Sequence, residues 1–487
     1  MLARDETEPR EATARTSSLT ILVVVAIVAA NLACKLPGLD RQSLWLDEAL
    51  TVSAAGRSVA EILTYATYNQ NPPLYALLMH GWLGLFGISE TSARLFPVLC
   101  STLTAVAVFF LARRFLGARA AIFAAILFTA SNIHVQYARE ARVYALASLL
   151  ATLSAYAFLS LMARPHWRTA ALLGVLNAAL FYCHFVTVFL PLAELVATFA
   201  SRAWRERAGR FVVAASVGSA LLALPWMPYV LRNAPSAGEY WLAPPTWRDL
   251  RHVLKRFADK NRLLYLTLLL LVPAVRRVLG VAREAFDGSL ARFLGLWGFL
   301  PIGLAFLIAA RVPIFLDRYL LYASVGLALL FAYLLALIPL RAAGHVVLCA
   351  GLLVLLGPRA LREPVKDDWR ALAARVRQLH GARAPGTSLV VIAANELPPF
   401  AYYFDRDAFA VGDYERALRS GGIVAVDDPE DLTPAMLGGL ESVTVIRTRI
   451  SDPDVSVLMA AGFERPASRM KVAGLELLGS ERIGRRD

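Results

Sequence analysis

Ser43-Leu44-Trp45-Leu46-Asp47-Glu48-Ala49 follows the first apolar run of the chain and sets two adjacent carboxylates among apolar neighbours, with Leu50 and Val52 beyond them. A charged side chain at the centre of a bilayer costs from about 3 to over 10 kcal/mol. Trp and Leu, by contrast, are at home at the headgroup level. The stretch therefore reads as a loop lying at a membrane surface with its acids directed outward, a candidate active-site loop.

The composition supports a membrane setting. The chain has 487 residues, 57% of them hydrophobic, and a mean hydropathy of +0.54, too apolar for a soluble globular protein. The formal charge of +13 comes from arginines clustered in short loops between apolar runs, a positive-inside signature rather than a nucleic-acid-binding face. Cys34, Cys100, Cys183 and Cys349 lie far apart within apolar runs, without metal-ligand spacing, and read as packing residues. The first apolar run lacks a small-residue cleavage site and reads as an uncleaved helix.

Charge in the loops sets the topology. Spans are expected over about 19–36, 93–112, 120–133, 143–163, 170–182, 185–200, 211–231, 263–275, 293–310, 315–340 and 345–358. The run from Pro73 to Gly87 is short for a crossing, about 22 Å of a roughly 30 Å hydrocarbon core. If it does not cross, the arginine-rich loops all fall on the side of the N-terminus. It is therefore read as a re-entrant or juxtamembrane helix, leaving about eleven transmembrane helices. The loop of Asp47, the segment 132–142, the loop 232–262 and the segment 311–318 then share the outer face. Residues 1–361 form the transmembrane domain, with an external loop at 37–92. Residues 362–487 form a soluble α/β domain on the outer side, with strands near 389–393, 422–426 and 443–446 and a helix over 369–379. No nucleotide-binding glycine signature occurs in it.

The outer segments carry the chemistry. Neighbouring residues such as Asp47 and Glu48 point in different directions, so they cannot face each other across the roughly 5 to 9.5 Å that a two-carboxylate glycosidase requires. One base plus one positioning acid is the reading that remains; the bland alternative is a solvated acidic turn. Gln136-Tyr137-Ala138-Arg139-Glu140-Ala141-Arg142 places two arginines on the same side, and a guanidinium suits phosphate through paired hydrogen bonds. The alternative is a snorkelling arginine paired with Glu140. Arg318 poses the same question with Asp317. His80, His134 and His184 are too scattered to read as a metal set.

In order, Leu44-Trp45-Leu46-Asp47-Glu48-Ala49, Pro72-Pro73-Leu74-Tyr75 with Leu78-Met79-His80, Phe86-Gly87-Ile88-Ser89-Glu90 with Arg94, Glu140-Ala141-Arg142-Val143-Tyr144-Ala145-Leu146, Arg318-Tyr319-Leu320 and Asp368-Trp369-Arg370 resemble the bacterial GT-C glycosyltransferases related to protein O-mannosyltransferases and to the aminoarabinose and galacturonic acid transferases of lipopolysaccharide. The resemblance covers most of the chain. It implies a multi-pass enzyme of the bacterial inner membrane that takes a sugar from a polyprenyl-phosphate donor at the periplasmic face and passes it to a lipid, glycan or protein acceptor. No cofactor, no metal site and no nucleic-acid partner is expected. Asp47 matches the catalytic acid and Glu48 the second acid; Glu48 and His80 are expected to position acceptor or sugar. Arg142, Arg318 and Arg139 are expected at the donor phosphate. The sequence departs from the family at Asn71, where His or Lys often precedes Pro-Pro, and at Arg139, where Gln is common. The alternative class is a transporter or flippase of a lipid-linked glycan. A transporter would place its ionisable residues near the bilayer midplane and often shows internal repeats, whereas here the charges gather at span ends and no repeat is seen.

Overall fold

The computed structural model of the chain describes residues 8–68, 71–232, 244–259, 287–312, 314–338, 340–360, 366–381, 386–412, 414–426, 432–447, 458–459, 461–464, 467–472 and 475–481. It divides into two units. The first holds Met1–Pro37, Thr64–Tyr75 and Arg94–Arg362, and the second Gly38–Leu63, Ala76–Ala93 and Glu363–Asp487. Of the external loop 37–92, the parts 38–63 and 76–92 fall in the second unit and 64–75 in the first.

The first unit is helical. Among the described residues, five helices are long and apolar enough to cross a membrane: Ser18–Lys35, Glu90–Phe115, Tyr144–Ala163, Arg202–Arg232 and Gly288–Ile308. The bent pair Ala118–Thr129 and Asn132–Ala138 raises this to six if it is counted as one span. Shorter apolar helices at Trp167–Cys183, Phe185–Phe199, Leu321–Ala336 and Ala343–Val354 coincide with further expected spans. The one expected over 263–275 lies outside the described residues, as do 233–243 and 260–262 of the loop 232–262. This is a multi-pass membrane protein.

Lipid offers the backbone no hydrogen bonds, so each crossing segment satisfies its own as a helix. Helices then pack through small residues, because lipid gives no hydrophobic drive to associate. Tyr144–Ala163 shows the pattern: Ala147, Ser148, Ala151, Ser154 and Ala155 are buried while Leu153 is exposed. Where Trp167–Cys183 meets Arg202–Ala223, a Cβ on Gly174 would lie 3.0 Å from the Ala215 carbonyl oxygen.

One expected span departs from a straight helix. The run over 120–133 breaks after Thr129 and bends by 58° into Asn132–Ala138. Ser131 takes an extended conformation there, and the Asp259 carboxylate accepts the Asn132 N–H at 2.8 Å. An acid brought from elsewhere in the chain stabilises a new helix start.

In the second unit, helix α1 (Leu46–Ala55) carries the acid pair, and helix α2 (Leu74–Phe86) lies mostly within this unit. At 13 residues, α2 extends about 20 Å, short of a bilayer core. The expected C-terminal helix is α3 (Trp369–Gly381). The sheet has five strands in the order β2-β1-β3-β5-β4, with β1 (Ser388–Ala393), β2 (Ile423–Val426), β3 (Ser442–Arg447), β4 (Ala467–Val472) and β5 (Leu475–Glu481). β1 pairs in parallel with β2 and β3. β5 is antiparallel to β3 and β4. Val391, Val424, Val445 and Leu478 fall on one face and share a core with Leu437, Leu440 and Phe463. The three expected strands are present; β4 and β5 were not read from the sequence, because Arg469 and Lys471 in one and Glu476 in the other dilute the apolar run.

Candidate functional site

The acid loop is built from its backbone upward. Gly38 turns the chain with a φ of +71°, and a Cβ there would lie 2.5 Å from Arg41 Cδ, so this turn needs glycine. Trp45 is extended and caps α1. Asp47 and Glu48 fill the first helical turn, where the N-terminal end of the helix dipole favours negative charge. Successive positions are rotated by about 100° on a helix, and the two acids meet different surroundings. Glu48 is fully buried, whereas Asp47 is half-buried. The Glu48 carboxylate accepts the Trp45 N–H at 3.4 Å and forms an ion pair with Lys366 Nζ at 3.0 Å. Asp47 uses its backbone carbonyl to accept the Thr51 hydroxyl at 2.8 Å.

The rest of the unit fixes this loop. Ser43 Oγ donates to Asp368 at 3.3 Å and accepts the Arg370 N–H at 3.2 Å. Tyr403 accepts the Leu44 N–H at 2.8 Å, and Gln42 accepts the Lys366 N–H at 3.1 Å. Glu90 accepts from Arg370 at 2.9 Å, from Tyr402 at 3.1 Å and from Arg406 at 3.2 Å. Burial and the charge of Glu90 push the Tyr402 phenol up from its ordinary value. His80, on α2, lies 2.9 Å through Nδ1 from the Ala55 carbonyl oxygen. A carbonyl oxygen only accepts, so that ring nitrogen donates and His80 ties the end of α1 to α2.

The arginines belong to the first unit. Asn132–Ala138 ends at Arg139, which donates to the Pro37 carbonyl at 2.6 Å and so fastens the end of the first span. Arg142 and Arg318 each reach a ring of one aromatic cluster. Their guanidinium groups each lie 5.8 Å from a ring centre, Arg142 from Tyr144 and Arg318 from Tyr319. The His184 and Tyr319 rings are 4.8 Å apart, and Tyr144 is 6.2 Å from His184 and 6.3 Å from Tyr319.

Asp317, considered from sequence as the partner of Arg318, has another cation. Arg256 Nε lies 3.0 Å from Asp317 Oδ2, and Tyr137 donates its hydroxyl to Oδ1 at 3.0 Å. Arg318 reaches Asp317 through its backbone N–H at 2.7 Å. Arg256 also donates to Gln136 at 2.9 Å. Sequence reasoning passed over Arg256, Asp259 and Lys366. The available signal for the first two is the amphipathic period of Trp247–Phe257, with Val253 and Phe257 buried. Lys366 carries no such signal. Among the described residues no three His, Cys, Asp or Glu gather as metal ligands.

The architecture is the GT-C fold of membrane glycosyltransferases. ArnT from Cupriavidus metallidurans shares it. Its structure bound to undecaprenyl phosphate matches with a TM-score of 0.59 at 15% identity, over 94% of this chain and 97% of that one. The apo structure gives a TM-score of 0.58 at 15% identity, over 96% and 98%. The arabinofuranosyltransferase AftD from Mycobacteria matches with a TM-score of 0.51 at 16% identity, over 96% of this chain and 40% of that one. Residues 70–229 match the family described as dolichyl-phosphate-mannose-protein mannosyltransferase. No curated protein matches the sequence significantly. The chain thus shares the fold of ArnT, and its residues 70–229 resemble the mannosyltransferase family.

Proposed function

We propose that the protein is an inverting glycosyltransferase of the bacterial inner membrane, taking a sugar from a polyprenyl-phosphate donor at the periplasmic face and passing it to a lipid, glycan or protein acceptor. The observation that carries this reading is the convergence of Arg142 and Arg318, distant in sequence, on the rings of Tyr144, His184 and Tyr319. Fixed guanidinium groups suit a phosphate, and the aromatic faces suit the sugar it bears. The undecaprenyl phosphate named in the ArnT structure is a ligand of the matching chemistry.

Asp47 is the base. It removes the proton of the acceptor hydroxyl as that oxygen bonds to the anomeric carbon. The bond from this carbon to the phosphate oxygen breaks, and its electron pair leaves with the polyprenyl phosphate. Arg142 and Arg318 stabilise that charge, so the leaving group needs no proton. Glu48, paired with Lys366, supplies negative charge to the helix start rather than chemistry. Arg139 acts on the end of the first span through Pro37, and His80 has its second ring nitrogen for the acceptor or the sugar.

Synthetic undecaprenyl-phosphate hexoses and pentoses, offered with membrane extract as acceptor, test the donor class by mass spectrometry of the products. Turnover of at least one of them, with none from UDP- or GDP-sugars, is the expected result. Activity confined to nucleotide sugars would overturn it.

A further inference from the structure

The second unit contains a motif that the reaction does not use, Asp368-Trp369-Arg370, and just before it a lysine that no sequence pattern singles out. Lys366 forms an ion pair with the fully buried Glu48 at 3.0 Å. A carboxylate taken out of water is costly unless it is paired and hydrogen-bonded. Breaking such a pair by removing one partner strands the other. Lys366 therefore makes ionised Glu48 tolerable at the head of α1. Its ammonium also stands 6.0 Å from the centre of the Trp45 ring, the residue from which α1 starts.

Glu48 holds the helix start in turn. Its carboxylate accepts the Trp45 N–H at 3.4 Å, while the Trp45 carbonyl receives the N–H groups of Glu48 and Ala49, each at 3.0 Å. Asp47 lies inside this turn, so its direction is set by Trp45 before it and Glu48 after it. The neighbouring contacts hold the chain leading into the turn. Asp368 and the Arg370 N–H grip Ser43, the Arg370 guanidinium donates to the Asp40 carbonyl at 3.0 Å, and Tyr403 receives the Leu44 N–H. Trp369, the middle residue of the motif, is buried and cannot shift without cost. Helix Leu397–Phe404, which carries Tyr403, packs against α1. The base is thus built on residues some 318 positions downstream.

We propose that Lys366, through Glu48, is the positioning residue that aims Asp47, and that the C-terminal domain exists in this chain to complete the acid loop. The assignment of a role in turnover rests on Asp47 being the base, as proposed above. Lys366 itself touches neither sugar nor acceptor.

The test uses the full-length purified protein with Lys366→Met, Lys366→Arg, Glu48→Gln and the double variant Glu48→Gln/Lys366→Met. Amide hydrogen exchange across residues 44–50 reads the positioning without any substrate. Lys366→Met should speed exchange there at least tenfold, and Lys366→Arg should restore most of the protection. The double variant, which leaves no buried unpaired charge, should be no worse than either single change. With the undecaprenyl-phosphate sugars as donors, Lys366→Met should lower kcat at least tenfold with the donor KM within twofold of wild type. Unchanged exchange in Lys366→Met, or losses that multiply in the double variant, would overturn the positioning role. Altered exchange with wild-type kcat would overturn its link to turnover. Near-normal turnover in Asp47→Asn, with exchange still sensitive to Lys366, would overturn the assignment of the base and leave the loop contact standing.

Discussion

In the proposed reaction three side chains carry the chemistry, and each has its own assay. Asp47→Asn keeps size and removes the proton acceptor, so turnover should fall by at least about a hundredfold, the lower end of general-base effects. Arg142→Ala and Arg318→Ala should each cost about 1.5 to 3 kcal/mol in productive donor use, the worth of a charge-assisted hydrogen bond. Wild-type kcat/KM for the donor in both arginine variants would make them structural. Asp259 acts differently. Burial raises its carboxyl from 3.8 to about 6, against the opposing N–H of Asn132 and hydroxyl of Ser131. The folded chain therefore holds this proton more tightly than the unfolded chain does. The stabilisation is fully present below 3.8 and is lost as pH rises through about 6. Asp259→Asn keeps an oxygen for the Asn132 N–H and removes the titration. Between pH 5 and 7.5 the thermal stability of the wild type should fall relative to this variant, and a constant gap would contradict the assignment. Asp259 does this from a left-handed backbone at a φ of 46°, which Asp tolerates better than most residues.

At the level of elements, what could be read from the sequence was whatever a local period reports. Tyr144–Ala163 and Gly288–Ile308 have no interior acid to contradict a span, and β1 and β3 are short β-branched runs. The bend at Ser131 was illegible, because the acid that stabilises it, Asp259, is 127 residues away. Lys366 was illegible for the same reason. The candidate site was legible as a set of residue types on outer segments, since the arginines exceed what topology needs. Their partners were not, because Asp317 is claimed by Arg256, which hides in an amphipathic helix. Helix pairing adds a further test. Gly326, on Leu321–Ala336, faces Trp297 on Gly288–Ile308, and a Cβ there would lie 2.7 Å from the Trp297 ring and 3.0 Å from the Gly298 nitrogen. The indole is fixed by its bond to the Tyr322 carbonyl at 3.1 Å. Gly326→Ala should destabilise by about 1 to 3 kcal/mol, the usual cost of overpacking, read as a lower melting temperature in detergent. An unchanged melting temperature would mean that the two helices part easily.

For the whole molecule, orientation and reaction are the claims at stake. On the proposed topology the N-terminus is inside and the acid loop outside, with α2 not crossing. Reporters fused after Gly87 and after Leu361 should both read the outer side, and a cytoplasmic signal at Gly87 would reverse the assignment of the segment carrying Arg142. The reaction follows from the acids. Glu48 is buried against Lys366 and adjacent to Asp47, so the two cannot clasp a sugar from opposite faces as a double displacement requires. A single base then drives direct attack, and direct attack inverts the anomeric centre. The most direct measurement is NMR of the product made by purified protein from an undecaprenyl-phosphate sugar of known anomeric configuration. The product should have the opposite configuration; a product with the donor's own configuration would contradict the account.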